Sequence, residues 1–386
     1  MSLRPHLTRE LSGAVADLGV LIPIAVALIV KNGLSATAVL LPAGGLYLVV
    51  AAVYRLPVPV QPLKALGAIA IAQGLGSDEI AAAAILMGAI FLVIGATGLV
   101  DLAGRAFPTP LIRGVQLTVG LLFLKIAWGL VSNPPASFSE YALAPAWAVP
   151  LAVSVVILAI LLRRRPVTLV LVGIGIVAML ARGGDGLVFG PSALAVPSLD
   201  TATFWTAFTV LVIPQLPLSF ANSCLATADA ARSYFGDAAK RVRAGRLAIT
   251  LGSANIVAGA ISGMPVCHGA GGLTAHVAFG ARTWRAPAAM GTALVVVAVG
   301  AGAGLAVVLP AFPLPILAGL LAVAGLLHIG LLRDLRGARA WAIALLVGGL
   351  GFEVNLLVAL LVGLGAWWLP VALAEVARRT AARRVT

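Results

Sequence analysis

Charge is what this sequence has least of. Only 10% of its 386 residues are Asp, Glu, Lys or Arg, where a soluble domain carries about a quarter. So few charges cannot cover a single-core soluble fold of this size, because buried volume cannot outgrow surface that far. Cysteine is nearly absent: Cys224 and Cys267 lie far apart in apolar segments, which excludes a disulfide framework and any finger-type metal spacing. HExxH, GxSxG and Walker sequences are missing. The GIGIVA run at 173–178 lies inside an apolar span, without the strand–helix unit a dinucleotide site requires. The four histidines, His6, His268, His276 and His328, are scattered over four segments. No nucleophile–base pair or metal cluster emerges, so the chain reads as neither an enzyme nor a holder of cofactor or metal.

What is present is apolar: 61% hydrophobic residues, with 43 Gly and 23 Pro. This composition specifies an all-α polytopic membrane protein. Apolar segments fall at 11–31, 36–54, 57–75, 80–100, 109–131, 146–162, 166–181, 203–228, 241–262, 264–280, 287–309, 312–332, 338–350 and 352–374, fourteen in all. The basic N-terminus leads into the first of these, which carries Asp17 and reads as an uncleaved helix. Several segments are shorter than the ~20 residues that cross a bilayer. Segments 57–75 and 264–280 are also interrupted by Pro or Gly near their starts. Lipid would leave the freed backbone groups unpaired, so these two broken spans, the third and tenth, belong inside protein.

The net charge of +13 would suggest nucleic acid on a soluble chain. With the N-terminus in the cytoplasm and the spans alternating, 21 of the 26 basic residues fall on the inner side. Outer loops keep only Lys31 and Arg182, while Lys64, Arg113 and Lys125 lie within spans. The charge therefore reports topology by the positive-inside rule, with both termini cytoplasmic and a bilayer rather than nucleic acid as the partner.

Residues 106–126 match 311–331 at an offset of 205, eight of 21 positions being identical and both carrying Ala-Phe-Pro-x-Pro. At an offset of 206, Pro59-Val60-Gln61-Pro62 faces Pro265-Val266-Cys267-His268; at 205, Asp17 faces Asn222. A seven-span repeat is odd-numbered, so the second copy enters the membrane inverted. The expected organisation is 7+7, residues 1–200 and 201–386. Paired broken helices in inverted repeats point to a secondary transporter's substrate site.

Each broken segment begins extended, because proline disfavours helix at and before itself, and then opens into a helix. Two helix N-termini aimed at one point offer free N–H groups and partial positive charge to a small anion. Gly269 and Gly271 remove side chains where a ligand would approach the backbone. Lys64, in a first helical turn, opposes the dipole and costs about 2.5–3.5 kcal/mol mid-membrane, which makes sense if an anion arrives. The alternative is a permanent pair with a carboxylate such as Asp17. Asp17 itself is either a structural counter-charge or a proton-coupling group. Gln61, Cys267 and His268 sit at the breaks; His268 either meets the anion, titrates or makes a structural hydrogen bond. Ser12, Gln215, Asn222 and Ser223 complete the shell, with helix–helix hydrogen bonding as the plainer role of each. Arg113 and Lys125 are read as snorkelling to the interfaces.

ELSGAVADLGVLIPI (10–24), VPVQPLKALGAIA (58–70), PTPLIRGVQLTVG (108–120), PQLPLSFANSCLATAD (214–229) and GMPVCHGAGGLTAHVAFGART (263–283) resemble signature blocks of the molybdate transporter family, which is related to the sulfate permeases. The resemblance covers most of the chain. It implies the fourteen-span inverted-repeat fold shared with sulfate permeases and nucleobase transporters, a core domain moving against a gate domain. It also implies molybdate import across the cytoplasmic (inner) membrane by alternating access, and the related transporters suggest a homodimer. Val20 and Leu63 depart from the expected Thr and Met, which leaves sulfate or another oxyanion as the alternative substrate. A nucleobase-type carrier is disfavoured by Lys64. A non-transporting membrane scaffold gives no reason to bury Lys64 and Asp17. Proton symport through Asp17 or His268 is an expectation from their depth alone.

Overall fold

The computed structural model describes residues 7–15, 18–100, 107–162 and 167–383. They form helices joined by turns and, before Thr201, by an irregular stretch over 187–200, with two two-residue strands that pair with each other. In chain order these are α1 (Leu7–Ala14), α2 (Leu18–Val30), α3 (Ala36–Tyr54), β1 (Gln61–Pro62), α4 (Lys64–Gln73), α5 (Ser77–Thr97), α6 (Thr109–Ser132), α7 (Pro145–Leu161) and α8 (Val167–Gly183). The second half holds α9 (Thr201–Arg241), α10 (Ala244–Ala260), β2 (Val266–Cys267), α11 (Ala270–Ala278), α12 (Arg285–Gly300), α13 (Gly302–Val308), α14 (Leu314–Ile329), α15 (Ala338–Glu353) and α16 (Leu356–Arg383). Among the described residues, α3, α5, α6, α9 and Leu314–Asp334 are each long and apolar enough to cross a bilayer alone. Large apolar side chains such as Leu161, Val177 and Leu327 stand exposed on the outer surface, as lipid contact requires.

Proline sets the boundaries. In both copies of the Ala-Phe-Pro-x-Pro block the first proline caps a helix and the second lies in its first turn: Pro108 and Pro110 for α6, Pro313 and Pro315 for α14. A missing N–H is harmless there, since that turn has no intrahelical acceptor for it. Pro57, Pro59 and Pro62 hold 55–63 out of helix, and Pro265 does the same before β2. The two expected breaks are therefore present, and their extended stretches pair antiparallel, Gln61 with Cys267 and Pro62 with Val266.

Helix packing follows the repeat. Shifting α3 and α5 by 205 residues lands on α10 and α12, and the α5–α10 interface has its image in α12–α3. Glycine brings these backbones together: Gly88 lies against Gly252, and Gly44 against Gly291. Small residues at such crossings let helices approach closely where no hydrophobic effect drives them together. A second group joins α6 to α14 and α15, and α14 to α7. Gly120 there lies against Gly325, its own counterpart at offset 205, just as Gln61 pairs with its counterpart Cys267. The two-fold relation runs between these pairs.

Two features were not in the sequence reading. The segment 287–309 is not one helix: α12 and the helical stretch Gly302–Ala311 meet at 82°. At the bend Gly190 N–H donates to the Gly300 carbonyl (2.8 Å) and Ala303 N–H to the Gly190 carbonyl (2.9 Å), so a distant loop satisfies the opened turn. Segment 203–228 extends to Arg241 and contains wide π turns at Ala207–Val212 and Ser219–Ala226 around Pro214 and Pro217. Proline cannot donate to the i−4 carbonyl and crowds it, and a wider turn relieves that crowding.

Candidate functional site

A small cavity lies where the two strands, α4, α6, α9 and α14 converge. It is lined by Lys64 of α4, Gln116 of α6, Gln215, Leu218, Asn222 and Ser223 of α9, Cys267 of β2 and His328 of α14. Lys64 is the first residue of α4, and Gly269 is the N-cap of α11. The first N–H groups of both half-helices lack intrahelical acceptors and carry the positive ends of their dipoles. Among the described residues no carboxylate lines the cavity, and the ion pair among them is Arg113 with Asp334.

Three glutamines surround this point, each with its carbonyl oxygen already engaged. Gln61 Oε1 accepts from Lys64 Nζ at 2.5 Å, Gln215 Oε1 from Leu66 N–H at 3.0 Å, and Gln116 Oε1 from Arg113 Nη1 at 2.8 Å. Gln215 Nε2 in turn donates to Ser219 Oγ at 3.0 Å. With each glutamine oxygen already accepting a hydrogen bond and an ammonium among them, the polarity of this cluster suits an oxyanion.

The sequence-derived residues divide into three groups. Lys64, Gln215, Asn222, Ser223 and Cys267 line the cavity. Gln61 and Gly269 stand immediately behind it: a Cβ on Gly269 would overlap Gln61 Oε1 and lie 3.3 Å from Asn222 Nδ2. Gly271 faces open space, with nothing within 4 Å of an added Cβ. His268 is fully buried and outside the lining. Its Nδ1–H donates to the Pro59 carbonyl (3.1 Å) and its Nε2 pairs with Thr250 Oγ1 (3.0 Å). Neighbouring residues of an extended chain point to opposite sides, so with Cys267 facing the cavity, His268 turns toward Tyr54. Ser12 falls on α1 with its side chain outside the described set, and Asp17 lies outside the described residues.

Gln116 and His328 are cavity residues that the sequence reading did not select. Both lie within the repeated 106–126 and 311–331 blocks, and a polar residue in each apolar helix was the available signal. Arg113 reaches the half-exposed Asp334 near the end of the same helix group. Its Nε donates to Asp334 Oδ1 at 2.8 Å and its Nη2 bonds Asp334 Oδ2, while Nη1 holds Gln116.

A family model described as "Molybdate transporter of MFS superfamily" matches residues 9–123 and 207–327, more than half of the chain. The chain belongs to the molybdate transporter family. Among relatives of this transporter, Molybdate transporter 1 of Arabidopsis thaliana is 30% identical over 359 residues, covering 82% of this chain and 78% of the relative. Molybdate transporter 2 of the same plant is 29% identical over 372 residues, covering 84% and 79%. Among solved structures, the transmembrane domain of a cyanobacterium bicarbonate transporter, BicA, superposes with a TM-score of 0.64 at 18% identity, covering 95% of this chain and 98% of that one. The murine anion transporter Solute Carrier 26 family member A9, in its inward-facing state, superposes with a TM-score of 0.68 at 13% identity, covering 97% and 70%. The molybdate transporter family member described here is thus a multi-pass membrane protein with the fold of these transporters, and its family makes it an anion transporter.

Proposed function

We propose that this protein is a secondary transporter that imports molybdate across the cytoplasmic (inner) membrane by alternating access. The anion sits between the starts of α4 and α11. The supporting observation is the composition of the cavity: one ammonium, Lys64, beside Gln116 and Gln215, whose amide oxygens already accept hydrogen bonds, with no carboxylate among the described lining residues. Fourteen spans in two inverted repeats, residues 1–200 and 201–386, carry it, with both termini on the cytoplasmic side by the positive-inside rule.

The transport cycle follows from where the walls belong. Cys267 and Asn222 sit on β2 and α9, which pack against α10; Gln116 and His328 sit on α6 and α14, and Lys64, on α4, lies between α6 and α9. The cavity measures about 20 Å³, room for roughly one water. A tetrahedral oxyanion has four oxygens, so it loads only when the two groups part. Separation toward one face admits the anion and separation toward the other releases it.

Purified protein in liposomes is expected to accumulate labelled molybdate, and Lys64→Ala to abolish accumulation. Wild-type uptake by the mutant would remove Lys64 from the site. Sulfate in excess tests the ligand: full competition makes the substrate a tetrahedral dianion in general rather than molybdate in particular.

A further inference from the structure

We infer that His328 is the proton-coupling residue of this transporter, taking up one proton on Nε2 as the dianion enters and releasing it as the dianion leaves. The inference rests on the anion-transport reading of the same cavity. It starts from a tautomer. His328 Nδ1 lies 2.9 Å from the Ala324 carbonyl oxygen one turn back on α14. A carbonyl only accepts, so Nδ1 carries the hydrogen and the neutral ring keeps its lone pair on Nε2. Phe123 packs edge-to-face on the ring and holds its plane. A neutral His328 therefore brings a lone pair to the cavity beside the Lys64 ammonium, and faces the anion as a repulsive acceptor. Protonation of Nε2 turns the same atom into a charged donor without moving the ring.

The charges of the cavity make that protonation conditional on the anion. Lys64 is the other strongly charged group in the lining, and Cys267 the other titratable one. From α6, Arg113 is committed to Asp334, and Lys125 lies 5.5 Å from the Phe352 ring. The remaining helices packed on α14, namely α2, α7 and α8, are apolar along their length, with Lys31 and Arg182 only at their far ends; Asp17 lies outside the described residues. A proton on His328 beside Lys64 would place two positive charges together with no carboxylate among the described lining residues, which opposes it. A dianion between them balances both charges, so the loaded cavity is neutral with one proton bound. Linkage makes the effect mutual: the anion raises the proton affinity of His328, and the proton raises the affinity for the anion by the same factor. The proton comes from water on the side where the cavity opens and returns to water on the other, so an inward proton gradient drives the dianion inward.

Titration calorimetry in two buffers of different ionisation enthalpy reads the protons bound per anion. Molybdate and sulfate serve as probes, with the full-length protein in detergent. The expected result for the wild type is about one proton taken up per dianion and an affinity that weakens about tenfold per pH unit in the alkaline range. His328→Gln keeps a neutral polar side chain and is expected to bind with no proton uptake and a flat pH profile. In liposomes its uptake of labelled anion, at whatever basal rate, should show no acceleration by an inward proton gradient. Zero proton uptake by the wild type, or unchanged uptake by His328→Gln, overturns the assignment and leaves the transport reading intact. Failure of the wild type to bind either dianion overturns both.

Discussion

Arg113 offers a test of whether the cavity is built from oriented donors. Its side chain makes two connections of unequal consequence. The first is the paired contact with Asp334, whose side chain is 50% exposed against 19% for Arg113. An ion pair so open to solvent contributes about 0–1 kcal/mol. The second is the bond from Nη1 to Gln116 Oε1, on a residue only 4% exposed. That bond turns the amide oxygen toward Arg113 and its –NH2 end the other way, so removing the guanidinium frees the amide to rotate and present its oxygen to the anion. One hydrogen bond to a charged ligand contributes about 1.5–3 kcal/mol, so Arg113→Ala should weaken oxyanion binding by roughly ten- to 150-fold. Asp334→Asn breaks the ion pair and keeps the Gln116 contact, so it should change affinity by less than about fivefold. Calorimetric Kd values for the two variants, with a thermal melt to verify folding, decide the matter. Equal losses in both variants, or wild-type affinity in Arg113→Ala, would refute the reasoning.

Two further substitutions probe the crossing of the half-helices. Gly269→Ala places a methyl on Gln61 Oε1 and 3.3 Å from Asn222 Nδ2; anion affinity should fall at least about tenfold, with overpacking limited to about 1–3 kcal/mol of stability, as read by calorimetry beside a melt. Asn255 clamps β2, its Oδ1 accepting from Val266 N–H and its Nδ2 donating to the Val266 carbonyl, both at 2.8 Å in a fully buried setting. Asn255→Ala leaves both backbone groups unpaired at about 1–3 kcal/mol each and should lower the melting temperature sharply; an unchanged melt would show that β2 holds without the clamp.

What the sequence disclosed was what local chemistry dictates. Proline placed the breaks before α4 and α11 and the starts of α6 and α14, because its ring acts on its own backbone. The Ala-Phe-Pro-x-Pro block disclosed the repeat, and Lys64 drew notice through its position in a first helical turn. Residues whose roles depend on distant neighbours stayed hidden. The bend after Gly300 depends on Gly190, more than a hundred residues earlier in the chain. Gln116 and His328 belong to helices that reach the cavity only through packing, and the place of Arg113 between Gln116 and Asp334 depends on the turn after α14 bringing Asp334 beside the guanidinium. His268 shows the converse, since its neighbourhood in sequence was right and the alternation of an extended strand turned it away.

The pairing of β1 with β2 has a practical consequence. Cys267 lies on that bridge at 3% exposure, its thiol donating to the Pro62 carbonyl at 3.4 Å, while the chain's other cysteine, Cys224, is wholly covered. A maleimide is far larger than the one-water space beside it, so in the proposed alternating-access cycle alkylation waits for the walls to part. The rate at which the unmodified protein consumes a membrane-permeant thiol reagent then becomes a clock for the opening of the carrier, with the reagent's impermeant counterpart reporting to which side it opens.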